Sequence, residues 1–181
     1  WMHSDEMGPY NSFGNGSAMR VSPVGWAFET EEEVLREAER SAAVTHNHPE
    51  GIKGAQAIAL AIFRARHKVQ KEDIRAEMAE RYGYNLSRAL EDIRPGYRFD
   101  ETCQGSVPEA LTAFFESIST EDAIRKAVSL GGDADTLACI AGGVAEAYYG
   151  PLPAEMLAQV KNRLSPDLLS VMEEFYQKYS R

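Results

Sequence analysis

The sequence predicts an all-α fold, and three observations predict it. Apolar residues recur at three- and four-residue spacing in one segment after another, the period of a helix with one buried face. No stretch alternates with the period of two that a half-buried strand requires. Cap and stop residues bracket the periodic segments, and repeats and low-complexity tracts are absent. A chain of 181 residues can build one well-buried core but not two, so residues 1–181 are expected to form a single domain whose core comes from helix–helix packing.

Residues 1–28 are rich in Gly, Ser, Asn and Pro, and predict loop plus one short helix from about Ser17 to Trp26, kinked near Pro23. Thr30 before Glu31, Glu32 and Glu33 is an N-cap signature, and Val34, Leu35, Ala38 and Ala42 give the helix that follows an apolar face to about Ala43. After a loop from Thr45 to Gly51, Ala55, Ile58, Ala59, Ile62 and Phe63 predict a helix to about His67, buried on several sides because small residues fill the remainder. Lys71–Tyr82 repeats the pattern through Ile74 and Met78, and Leu86–Ile93 predicts a shorter helix stopped by Pro95-Gly96. Ser106-Val107-Pro108-Glu109 reads as a helix start with Pro in the first turn and Leu111, Phe114 and Phe115 facing inward. Ser119 or Thr120 caps the next helix, which ends at Gly131-Gly132. A Gly- and Ala-rich helix from Asp133 to about Tyr149 is expected at the centre of the bundle, and Ala154–Leu164 and Pro166–Tyr179 complete the series.

A net charge of −9 with no Lys/Arg cluster argues against a nucleic-acid surface, so an anionic ligand must be held by amides or a metal. Cys103 and Cys139 lack zinc-type spacing and read as reduced thiols, from which a cytoplasmic location is expected. No apolar run approaches a membrane span, and no signal-peptide pattern is present. The opening Trp1-Met2-His3 reads as the start of an internal fragment.

Three segments could carry chemistry. In the first, Gly131-Gly132-Asp133-Ala134-Asp135-Thr136, two carboxylates and a hydroxyl stand where a glycine turn becomes a helix. Oxygen ligands of this kind suit Mg²⁺, Mn²⁺ or Ca²⁺. The competing reading makes Asp133 an N-cap and sets Asp135 against the helix dipole. In the second, Ser12-Phe13-Gly14-Asn15-Gly16-Ser17-Ala18-Met19-Arg20, two glycines precede a helix start and could curl the backbone into an anion-binding nest, or form a turn and cap. In the third, Thr45 to Ala55, His46 and His48 are two residues apart without a third Cys or His, which disfavours zinc. One of these histidines could cap the next helix or contact a ligand's phosphate or ribose oxygens. Gln104 and Glu109 lie by a helix start, where capping is the default, and Phe114, Phe115, Tyr148 and Tyr149 read as core.

Taken together, Ser12–Arg20, Thr45–Ala55 and Gly131–Gly150 resemble the ADP-ribosylglycohydrolase family, which includes the dinitrogenase reductase-activating glycohydrolases. The resemblance covers nearly the whole chain and rests on the order and separation of the three segments. It implies a compact orthogonal helical bundle with two Mg²⁺, or Mn²⁺, at the base of an ADP-ribose cleft. By the same resemblance Asp133, Asp135 and Thr136 are expected to be metal ligands, with Asp133 and Asp135 catalytic. Gly14, Asn15, Gly16 and Ser17 are expected to wrap the diphosphate and distal ribose, with Ser12 and Met19 at the edges of that ligand-binding loop, and Thr45 and His46 to line the same cleft. Gly54-Ala55 matches small residues that let the following helix pack closely. Family members also begin with a glycine-rich helix and a Thr-Asp-Asp-Thr motif, which this sequence lacks. Half a metal site, the C-terminal two-thirds of the fold and poor catalysis by this chain alone are therefore expected.

The implied reaction is hydrolysis of the bond at C1 of the distal ribose, through an oxocarbenium-like transition state, in ADP-ribosylated protein or a related ADP-ribose conjugate. A non-catalytic ADP-ribose or nucleotide binder is the rival from another class. A helical metal-dependent phosphohydrolase is a third reading, but it leads one to expect a His-Asp pair on one helix, and none is found.

Overall fold

Caps and apolar stripes organise residues 8–179, those described by this computed structural model, into eleven helices. In chain order these are α1 (Gly16–Met19), α2 (Ser22–Ala27), α3 (Glu31–Ala43), α4 (Pro49–Arg66), α5 (Lys71–Tyr82), α6 (Leu90–Ile93), α7 (Cys103–Phe115), α8 (Thr120–Ser129), α9 (Ala134–Tyr149), α10 (Ala154–Lys161) and α11 (Pro166–Tyr179). Among the described residues there is no strand, only an isolated antiparallel bridge between Gly14 and Thr102. The all-α expectation therefore holds. The opening Trp1–His3 lies outside the described residues.

α4 is the axis of the bundle, packed against α1, α2, α3, α5, α7 and α9. Ala55, Ala57, Ile58, Ala59, Leu60, Ala61 and Ile62 are all buried, so α4 has almost no solvent face. Small residues allow its neighbours to come close. A Cβ on Gly25 would fall 2.7 Å from the Ala59 carbonyl oxygen, and one on Gly54 would fall 2.5 Å from Cys103 Sγ. Both are shorter than real contacts, so α2 and α7 reach α4 only because these positions carry hydrogen. Outside this core, Arg64 of α4 bonds Glu31 (2.5 Å) and Glu77 (2.8 Å), while Arg81 bonds Glu31 at 2.6 Å, which ties α3, α4 and α5 together. Bonds from Arg81 and Arg64 hold the Glu31 carboxyl below its ordinary range, against the opposing effect of partial burial. Lys71 of α5 donates to the Phe115 and Ser117 carbonyls and to the Tyr149 hydroxyl, and it stands over the rings of Phe114, Tyr148 and Tyr149. One cation thus closes the C-terminus of α7 against α9.

Several boundaries differ from the expectations. The helix expected over Ser17–Trp26 is two helices broken at Arg20–Val21, and Pro23 starts the second instead of kinking a single one. α4 begins at Pro49, inside the loop expected to run to Gly51, because the His48 side chain caps it. Only Leu90–Ile93 of the expected 86–93 helix forms, since the Asn85 side chain captures the Ser87 amide and hydroxyl in a local turn. α7 starts three residues before Ser106, capped by Thr102, whose hydroxyl accepts from the Gly105 amide. Pro108 therefore lies inside α7, where its missing N–H leaves the Gln104 carbonyl without its usual helical partner. The Thr30 cap on α3, the Lys71–Tyr82 span and the Ser119 cap on α8 stand where expected. The helix expected to reach Leu164 ends at Lys161.

Candidate functional site

Gly131 and Gly132 both adopt left-handed backbone, with φ of 76° and 64°, which lets the chain reverse between α8 and α9 at little cost. Gly132 also passes beneath Tyr97 and Arg98, where a Cβ would lie 2.8 Å from the Tyr97 ring. Asp133 then occupies the N-cap position of α9, yet its side chain makes no capping bond. Its carboxylate instead accepts a 2.6 Å hydrogen bond from Asn15 Nδ2. The same amide group donates to Ser106 Oγ (3.0 Å), and Ser106 donates to the Asp100 carbonyl (2.9 Å). Both Asn15 Nδ2 hydrogens are thereby used. The second motif is joined to the first across 118 residues of chain.

Thr136, buried in the first turn of α9, donates to Met19 Sδ at 3.5 Å, and the Cys139 thiol donates to the Met19 carbonyl at 3.4 Å. Asp135 is exposed, and its side chain makes no hydrogen bond or ion pair among the described residues. Two carboxylates and a hydroxyl within one turn form an all-oxygen set suited to a hard divalent cation. It supplies three donors, and Mg²⁺ takes about six. Among the described residues no three His, Cys, Asp or Glu side chains cluster to complete it.

The glycine loop is held by its own backbone groups. The Gly14 amide donates to Ser12 Oγ (3.1 Å), the Asn15 amide to the Glu101 carbonyl (2.7 Å), and the Cys103 amide to the Phe13 carbonyl (2.9 Å). Two of the amides that could form an anion nest are thus already engaged. Ser17, fully buried, donates to the Gly51 carbonyl at 2.8 Å and fixes the loop against α4. Behind it the buried Cys103 thiol donates to the Gly14 carbonyl (3.1 Å), and burial raises that thiol above the ordinary cysteine range. Neither Gly14 nor Gly16 has a positive φ. Their use is spatial: a Cβ at Gly14 or Gly16 would lie 3.4 or 3.3 Å from His46 Nε2.

The two histidines of the third segment separate. His48 Nδ1 accepts from the Glu50 amide (3.1 Å) as the cap of α4, and its ring meets Phe13 edge-on at 5.3 Å. His46 is only 8% exposed and turns toward the glycine loop, with Nδ1 held 2.6 Å from Thr45 Oγ1. Burial, reinforced by the Arg20 guanidinium, lowers its pKa below the ordinary histidine range.

A cleft of about 470 Å³ opens over this arrangement, lined by Ser12, Gly14, Asn15, Gly16 and His46 together with Tyr10, Asn11, Phe13, Glu101 and Thr102. The buried Ser17 and the exposed Met19 lie outside this lining, while Asp133 and Thr136 are tied to the same loop through Asn15 and Met19. The 97–102 strap was not legible as part of the site. Its only signal is a run of polar and aromatic residues between two helices, Tyr97-Arg98-Phe99-Asp100-Glu101-Thr102. Burial, with the carboxylates of Glu109, Asp100 and Asp133 adding to it, pushes the Tyr97 phenol up to about 12, and its hydroxyl donates to the Gly105 carbonyl at 3.2 Å. Glu109 is not a cap. It is buried inside α7 and paired with Arg88, and burial raises its carboxyl pKa.

A family model described as ADP-ribosylglycohydrolase matches residues 1–181. The chain is 30% identical over 163 residues to an uncharacterized protein of Archaeoglobus fulgidus, covering 82% of this chain and 53% of that protein. It is 30% identical over 184 residues to ADP-ribosylhydrolase ARH3 of Homo sapiens (77% and 51%), and 29% identical over 160 residues to ADP-ribosylarginine hydrolase Tri1 of Pseudomonas putida (81% and 42%). A solved structure titled "ADP-ribosylglycohydrolase-related protein complex" superposes with a TM-score of 0.72 at 27% identity, covering 94% of this chain and 62% of that one. The chain spans about half the length of the curated relatives it matches.

Proposed function

Because the chain belongs to the ADP-ribosylglycohydrolase family, we propose that its cleft holds ADP-ribose and that the Asp133 turn serves hydrolysis at C1 of the distal ribose. The observation that carries this reading is the Asn15–Asp133 hydrogen bond. A cap would have kept the Asp133 carboxylate on its own helix, whereas here it is spent on the loop that lines the cleft.

The chain's own groups divide the work. Gly14 and Gly16 leave room for a ligand to approach His46 Nε2, which has no protein partner among the described residues and is free to bond a phosphate or ribose oxygen. The exposed rings of Tyr10 and Phe13 at the rim offer stacking surface to an aromatic base. Ser12, through the Gly14 amide, and Ser17, through Gly51, keep the loop from collapsing into the cleft. Asn15 orients the Asp133 carboxylate, and Asp133, Asp135 and Thr136 are the residues to hold Mg²⁺ or Mn²⁺. A cation bound there supplies Lewis acidity toward ribose hydroxyls and the attacking water. The remaining donors must come from water, substrate or protein outside the described residues, and two ions are expected only in a complete site.

That incomplete donor set is the one observation favouring a second reading, a binder of ADP-ribose that does not turn it over. Calorimetric titration of ADP-ribose into the 181-residue chain, with and without Mg²⁺, combined with chromatographic detection of ADP-ribose released from an ADP-ribosylated peptide, separates the two. Release that is lost in Asp135→Asn, with affinity for ADP-ribose falling less than about tenfold, supports hydrolysis. Binding without release supports the binder, and absence of binding removes both.

A further inference from the structure

We propose that Arg20 and Thr45 are positioning residues that fix His46 as the neutral tautomer protonated on Nε2, so that the ring presents a permanent hydrogen-bond donor to the cleft. Arg20 Nη2 donates to Thr45 Oγ1 at 3.0 Å and to the Ser41 carbonyl at 2.9 Å. A guanidinium can only donate, so the Thr45 oxygen must accept here. The hydroxyl keeps one proton and one remaining lone pair, and among the described residues its other partner is His46 Nδ1, 2.6 Å away.

Two arrangements of that contact are possible. If Nδ1 carried the proton, it would donate to an oxygen already accepting from a cation, and the hydroxyl proton would have no protein acceptor. If the hydroxyl donates to Nδ1, every group in the chain is used, and donation from Arg20 polarises the hydroxyl into a better donor. The second arrangement leaves the ring proton on Nε2. Imidazolium is opposed by the same cation and by burial, in keeping with the lowered pKa of His46. The other groups facing the ring do not reverse this. Tyr10 presents its ring, with the centroid 6.3 Å away, and Glu101 turns its backbone carbonyl to the loop, where it accepts from Asn15.

The consequence is chemical selectivity. Nε2 sits beside Gly14 and Gly16, at the one place where a Cβ from either would crowd it. A donor fixed there favours a ligand oxygen that accepts, such as phosphate or ribose oxygen, and does so without a charge that pH could remove. The ligand's identity rests on the function proposed above; the tautomer does not.

The test is long-range ¹⁵N–¹H correlation spectroscopy of the histidine rings in the ligand-free chain at pH 7.5, with His46→Gln to assign the signal. A neutral ring with Nδ1 bare and Nε2 protonated is the expected result. An Nδ1–H tautomer or a rapidly exchanging mixture in the unmodified chain overturns the proposal, whatever the variants do. Thr45→Val should convert the fixed tautomer into a mixture, Thr45→Ser should restore it, and Arg20→Met should raise the midpoint of ring titration. An unchanged tautomer in Thr45→Val with an unchanged melting temperature also overturns it. Adding ADP-ribose at saturation should then shift the Nε2–H resonance. No binding at all would remove the ligand reading, while the ligand-free spectrum still decides the relay.

Discussion

Gly16 shows how differently a residue can serve the site from what its sequence suggests. Two glycines around an asparagine imply a curled backbone, yet Gly16 sits at the start of α1 with an ordinary negative φ, and its missing Cβ matters because His46 Nε2 occupies the space. Gly16→Val is therefore expected to weaken ADP-ribose binding by about tenfold or more, equivalent to about 1.4 kcal/mol, with little change in melting temperature. A calorimetric Kd equal to that of the unmodified chain would count against the cleft. His46 carries a second expectation. Its folded pKa lies below the ordinary 6.5, so the unfolded chain binds the extra proton first. The stability gained by keeping this ring neutral is present above about pH 6.5 and is lost as pH falls through the folded value. Urea unfolding between pH 7.5 and 5 should lose less stability in His46→Gln than in the parent. The candidate residues themselves were legible because their types, glycine, histidine and paired aspartate, announce chemistry. Arg20 and Ser106 were not, because each acts through a hydrogen bond to a residue far away in the sequence, and Tyr97 was not, because it reaches the Asp133 turn only by packing over Gly132.

The elements divide into those specified locally and those specified by their surroundings. α3 and α5 stand at their expected bounds because the information is local: Thr30 accepts from the Glu33 amide, and Gly83 ends α5 in left-handed backbone. The sequence places the start of α7 too late because Pro108 is an ordinary helix starter, and here it is tolerated in the interior of a helix that is buried along most of its length. The last two helices are the opposite case. Neither α10 nor α11 contributes a buried residue, and among the described residues the side-chain bonds that join them to another helix are Lys161 to Glu173 (2.9 Å) and Tyr176 to Glu146 (2.5 Å). Amides of α10 and α11 should exchange with deuterium well ahead of those in α4, α7 and α9. Equal protection across all five would mean that unrecognised packing holds this pair.

Taken whole, the function proposed above asks a molecule of net charge −9 to bind an anion. The cleft offers neutral donors and few free cations, since Arg20 is engaged behind His46. ADP-ribose affinity should accordingly stay level or tighten as NaCl rises from about 50 to 300 mM, because screening relieves repulsion by the protein's own charge. A steep loss over that range would reveal a Lys/Arg patch doing the recognition. No helix among the described residues is long and apolar enough to cross a membrane. The apolar residues of α4 are buried by its neighbours at the axis of the bundle. That place has a cost on the ribosome. α4 is complete at Arg66, whereas α7 and α9, two of the walls that cover it, are not synthesised until residues 103–149. For the time it takes to add some eighty residues, several seconds at typical elongation rates, Ile58, Leu60 and Ile62 have only part of their shelter. Nascent chains halted before Ala134 are consequently the species of this protein most dependent on chaperones.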